Sequence, residues 1–195
     1  SHVAQDMDGK IDMIVDGGEV GIGLESTIID LSEDVPTVLR PGYITEEMIR
    51  QVTGRVQVDK ASLGQMAPDV HPKAPGMKYR HYAPRAEMTI YRGREEAAVS
   101  AIREALAQAA SQGKKAGVIC TRETEALYDA PVKKCIGSRA EPETIAHNLY
   151  DVLRAFDEEQ VDCIFSESFD DNPLGGAIMN RLVKAAGHRI VECQE

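Results

Sequence analysis

The sequence predicts an α/β protein: the rear part of one α/β domain, an aperiodic proline-rich segment, then a small open parallel sheet of about five strands with helices on both faces. Three observations predict it. From residue 87 onward, strand-like and helix-like stretches alternate with short connections. Residues 1–59 hold short β signals and one helix, too few layers to cover both faces of a sheet. Between them, residues 60–84 carry Pro68, Pro72, Pro75 and Pro84 and lose all periodicity, which marks a linker or a functional loop.

The elements follow in order. SHVAQDMDG reads as the tail of a helix begun earlier. IDMIV (11–15) predicts a strand ending in the Asp16-Gly17-Gly18 turn signal. STIIDL (26–31) and PTVLR (36–40) predict a hairpin across SEDV. Thr45 is placed to cap a helix with acidic residues in its first turn, and Gly54 to stop it. RVQV is a short strand. In the second half, EMTIY leads into a helix over REEAAVSAIREALAQAASQG with Ala98, Ile102, Ala105, Leu106 and Ala109 on one face. KAGVICT is the next strand and RETEALYDA a short helix. PVKKCIG is polar enough for a strand near an edge. EPETIAHNLYDVLRAFDEEQ has proline at the first helical position and an apolar stripe of Ile145, Leu149, Val152, Leu153 and Phe156. VDCIFSES is apolar throughout, as a central parallel strand should be. GGAIMNRLVKAAG is the last helix and HRIVEC the last strand.

Composition narrows the function. The formal net charge of −10 disfavours a broad nucleic-acid surface but leaves room for a local cationic site that takes a small anion. No apolar run approaches the roughly 20 residues of a membrane span, and no signal segment opens the chain. The four cysteines show no metal or redox spacing and read as buried free thiols in a reducing cytoplasm. No histidine pairs with a cysteine or another histidine at ligand spacing, so no metal site is expected.

Four stretches could carry chemistry. GIGLESTIIDL (21–31) offers close backbone approach and the Ser26 hydroxyl at a strand end; a hairpin turn with a capping serine is the plainer reading. LRPG (39–42) holds the Arg40 guanidinium at a sheet rim, where its planar fork suits phosphate; a surface arginine before a turn is the alternative. KAPGMKYRHYAP (73–84) interleaves tyrosine with cations able to stack on a base and neutralise phosphate. A mere spacer would be poor in tyrosine, which favours a strap that helps form a site over a spacer. SESFDDNPLGGAIMNR (166–181) lies where α/β sheets place ligands, yet Glu167, Asp170 and Asp171 would repel an anion, and a capped strand-to-helix loop is favoured.

The succession GLESTIIDL, PTVLRPGYIT, APGMKYRHYAP and then an α/β domain resembles the long, two-domain form of the L-threonylcarbamoyladenylate synthase family. That resemblance implies a YrdC-like domain (rear part, 1–59), a linker (60–84) and a Rossmann-like domain (85–195). It implies the reaction of ATP, L-threonine and bicarbonate to threonylcarbamoyl-AMP and pyrophosphate, feeding modification of adenosine 37 in tRNA. Ser26 is then the threonine contact, Arg40 the phosphate arginine, and Tyr79 the linker residue closing over ATP, with Arg80 and His81 weaker candidates. The resemblance names no catalytic residue. Magnesium is expected with the ATP phosphates rather than in a protein cage. Downstream tRNA-modification enzymes are the implied partners, direct tRNA binding is disfavoured by the acidic balance, and the expected location is the cytoplasm. The family's front segment with its basic site is absent from residues 1–60, so this chain alone is expected not to make the adenylate. The competing reading is a non-catalytic regulatory or partner-binding Rossmann-like module.

Overall fold

A computed structural model describes residues 2–18, 20–59 and 83–194. It contains a three-stranded sheet and a separate five-stranded sheet, one on each side of residues 60–82. Tyr79, Arg80 and His81 lie outside the described residues.

The chain opens with helix α1 (His2–Met7). The strand expected over 11–15 does not form. Met13 is 76% and Val15 85% exposed, so its apolar alternation faces water and finds no partner strand among the described residues. The next prediction holds in shortened form. β1 (Ile28–Asp30) pairs antiparallel with β2 (Thr37–Arg40), placing Ile28 opposite Arg40. Asp30 accepts from the Ser32 amide at 2.9 Å, so the turn ends β1 one residue before Leu31. Helix α2 (Glu46–Thr53) begins as expected: Thr45 Oγ1 accepts from the Met48 amide, and Gly54 closes the helix in the left-handed region. β3 (Gln57–Val58) then runs parallel to β2.

The second sheet is built from β4 (Glu87–Arg92), β5 (Ala116–Thr121), β6 (Val132–Gly137), β7 (Cys163–Glu167) and β8 (Ile190–Glu192), in the order β6-β5-β7-β4-β8. Every pairing is parallel. The central position of β7 and the edge position of β6 match the apolar and polar character of their sequences. Helices α3 (Glu95–Ser111), α4 (Pro142–Glu159) and α5 (Gly175–Ala185) cover it. Side chains alternate across β5. Val118 and Cys120 pack with Ile102 and Leu106 of α3, whereas Ile119 joins Leu149 and Phe156 of α4 and Ile178 of α5. The short helix expected over RETEALYDA is a single 3₁₀ turn, Glu125–Leu127. Thr124 and Tyr128 both donate to Glu167, which ties this segment down as a connector. The cysteines are free, but only Cys120 is buried; Cys135 on the edge strand β6, Cys163 at the start of β7 and Cys193 just past the end of β8 are partly exposed.

β4 and β7 are neighbours whose following helices, α3 and α5, lie on opposite faces. Their carboxyl ends therefore form the crevice where open α/β sheets place ligands. No described helix is long and apolar enough to cross a membrane.

Candidate functional site

The β1–β2 hairpin brings Ser26 and Arg40 together. Arg40 leaves the end of β2 and its Nε donates to the Ser26 carbonyl at 3.1 Å. The other two guanidinium nitrogens have no partner among the described residues, and neither has the exposed Ser26 hydroxyl. A fork of this kind suits a bidentate anion. Thr27 Oγ1 donates to the Ile44 carbonyl at 2.7 Å, fastening the far side of Ser26 to the turn after β2. That turn is pressed tightly against the strand. A Cβ on Gly42 would lie 2.5 Å from the Thr27 nitrogen and 2.6 Å from the Glu25 oxygen, so only glycine fits.

The second half reaches into this hairpin. Arg181 of α5 is 6% exposed, and its Nε donates to Glu25 Oε2 at 2.8 Å. Its terminal nitrogens donate to the Glu25 carbonyl at 3.4 Å and to the Pro41 carbonyl. Tyr150 of α4 donates to the same Glu25 oxygen at 2.6 Å. Burial pushes the Glu25 carboxyl up, but the Tyr150 hydrogen bond and the Arg181 charge outweigh it and hold the group below its usual range. Burial, with the Arg181 and Arg40 charges, holds the Lys184 ammonium below its usual value. Glu25, Tyr150 and Arg181 were not singled out from sequence. One signal was available: Arg181 falls on the apolar stripe of α5 with Ile178, Leu182 and Ala185, where a cation requires partners.

The crevice at the carboxyl ends of β4 and β7 is a cavity of about 720 Å³ lined by Arg92, Arg139, Asp170 and Asp171. Its guanidinium groups are already engaged. Arg139 binds the fully buried Glu167 at 2.7 Å and Asp171 at 3.2 Å. Arg92 binds Asp170 at 3.1 Å and Glu192 at 3.3 Å. Asn172 accepts from the Leu174 amide at 2.9 Å, so the 166–181 stretch behaves as the capped loop favoured from sequence. Among the described residues no group of three or more His, Cys, Asp or Glu could hold a metal ion.

Comparison with known proteins divides the chain at residues 42–44. Residues 44–187 match the family model described as threonylcarbamoyl-AMP synthase, C-terminal domain. Residues 1–42 match the one described as telomere recombination. The threonylcarbamoyl-AMP synthase of Bacillus subtilis (strain 168) is 47% identical over 190 residues, covering 97% of this chain and 53% of the relative. That of Pyrococcus abyssi is 44% identical over 191 residues, covering 98% of this chain and 54% of the relative. The crystal structure of P. abyssi Sua5 complexed with L-threonine superposes with a TM-score of 0.86 at 42% identity, over 99% of this chain and 54% of that one. The chain thus spans about half the length of the curated relatives it matches.

Proposed function

This chain belongs to the threonylcarbamoyl-AMP synthase family, and from that premise we propose that the protein containing it makes threonylcarbamoyl-AMP and pyrophosphate from MgATP, L-threonine and bicarbonate. The observation that carries the reading is the contact between Arg40 and Ser26, with two guanidinium nitrogens left over among the described residues. The amine of threonine attacks the carbon of bicarbonate, and the new C–N bond of the carbamate forms as a C–O bond breaks, the departing hydroxide leaving as water with a proton from the nitrogen. A carbamate oxygen then attacks the α-phosphorus of ATP, and pyrophosphate leaves with its magnesium. Neither step requires a covalent enzyme intermediate, so orientation and charge neutralisation carry the catalysis. Ser26 is the threonine contact in this proposal, Arg40 the phosphate fork and Tyr79 the aromatic cover over the nucleotide. The division into 1–59, 60–84 and 85–195 gives these roles to the hairpin and the linker. The product would supply the threonylcarbamoyl group for tRNA, in the cytoplasm. The threonine complex of the P. abyssi protein supports the amino-acid half of the reading. An independent regulatory module in the second half is the weaker alternative, since Arg92 and Arg139 of its crevice are held by its own carboxylates.

The test is pyrophosphate release that depends on both threonine and bicarbonate, measured on the full-length protein carrying this chain. Arg40→Ala should lower kcat/KM by about 100-fold or more, as loss of a charge-stabilising contact does. An unchanged rate would remove Arg40 from the site.

A further inference from the structure

We propose that Arg181 is a positioning residue for the synthase site, through which the last helix of the second domain clamps the two turns that carry Ser26 and Arg40. The inference rests on the assignment of those two residues above. Its basis is where the three guanidinium nitrogens go. Two of them meet Glu25, the residue before Ser26, at 2.8 and 3.4 Å. The third meets the carbonyl of Pro41, the residue after Arg40. One side chain from α5 therefore holds both segments that the Arg40–Ser26 hydrogen bond joins. Arg181 crosses from the second domain to do so.

A second helix takes part. Tyr150 of α4 donates to Glu25 Oε2 at 2.6 Å, fixing the carboxylate from another direction. The loop before Glu25 lies directly on α4: a Cβ at Gly23 would stand 2.4 Å from the His147 carbonyl oxygen. Ser26 is thus flanked by Glu25, anchored to α4 and α5, and by Thr27, anchored to Ile44. Its own hydroxyl is left facing outward. The junction is densely cationic, with Arg40 and Arg181 both acting on Lys184, and Glu25 offsets that charge.

Simple adhesion between domains does not explain the arrangement. A buried ion pair is poor glue, because desolvation cancels most of its attraction, and apolar packing of the same volume would hold as well. What a planar fork adds is direction. It specifies where the Glu25 and Pro41 backbones sit, and hence where Ser26 and Arg40 present their side chains. The second domain then forms the back wall of the site.

Two experiments on Arg181→Leu test this. In the full-length protein, assayed well below the thermal midpoint of the variant, the KM for L-threonine should rise by about tenfold or more; a misplacement of about 1 Å is enough for such losses. Arg181→Lys, which keeps the charge but cannot span both turns, should recover only part of the affinity. In the 195-residue chain, hydrogen exchange should accelerate in 23–30 and 38–44 but not in β4, β5 and β7. Unchanged KM and unchanged exchange would overturn the proposal, as would acceleration spread equally through the second sheet, which is plain destabilisation. The two readings fail separately. If Arg40→Ala is inactive but Arg181→Leu is fully active, the clamp falls and the site stands. If Arg40→Ala is fully active, the site assignment falls, and the positioning role built on it falls too, whatever the exchange shows.

Discussion

Replacing Gly42 by alanine tests the closeness of the turn to the strand beneath it. The added Cβ would sit 2.5 Å from the Thr27 nitrogen, 2.6 Å from the Glu25 oxygen and 2.8 Å from the Ser26 carbonyl carbon. All three are backbone atoms, so no side chain can rotate away. Contact between heavy atoms is comfortable near 3.5 Å, so the turn must lift by about 1 Å. Forcing a packed backbone apart in this way costs about 1–3 kcal/mol. The same lift carries Arg40 away from Ser26, stretching their 3.1 Å hydrogen bond beyond useful length. A shift of about 1 Å at a positioning group can lower turnover about 100-fold, equivalent to about 2.7 kcal/mol in the barrier. Pyrophosphate release by full-length Gly42→Ala, compared with its urea midpoint, is the assay. Activity within about twofold of the unsubstituted protein would show that the turn is looser than drawn, and the argument from its contacts would fail.

Two further outcomes follow from the packing and the charges. Phe156 is 1% exposed and covers Gly117 of β5, so Phe156→Ala should cost about 3–5 kcal/mol in denaturant unfolding; a loss below about 1 kcal/mol would mean the sheet does not rest on that ring. The Glu25 carboxyl titrates below its ordinary 4.5, so the stability it adds is fully present above that value and fades as pH falls through the lowered one. The Tyr150 hydrogen bond and the Arg181 charge are what hold it there. The melting difference between the unsubstituted chain and Glu25→Gln should therefore shrink as the pH falls below 4.5, and a difference that stays constant throughout acidification would contradict the assignment.

The second half was legible because each element states its own period. The stripe Ile145, Leu149, Val152, Leu153, Phe156 predicts the buried face of α4 one residue at a time, and all five are buried. The strand expected at 11–15 was misread for the opposite reason. Alternating apolar residues define a strand only when something pairs with it, and pairing is a property of distant sequence. The hairpin was readable from its turn, and with it the neighbourhood of Ser26 and Arg40. Glu25 was hidden, because a glutamate beside a serine carries no local mark of its partner. Its partner is Arg181, 156 positions away. Only a cation among buried isoleucine and leucine hinted that α5 had business elsewhere.

The grip of Arg181 on Glu25 and Pro41 also constrains how this architecture can be recombined. A chimera spliced within residues 43–175 would inherit the two ends of the grip from different parents. Each half could fold faithfully and the hybrid still be idle, its acceptors facing a helix that no longer donates. Swapping halves between relatives should succeed when the acid and the arginine travel as a matched set.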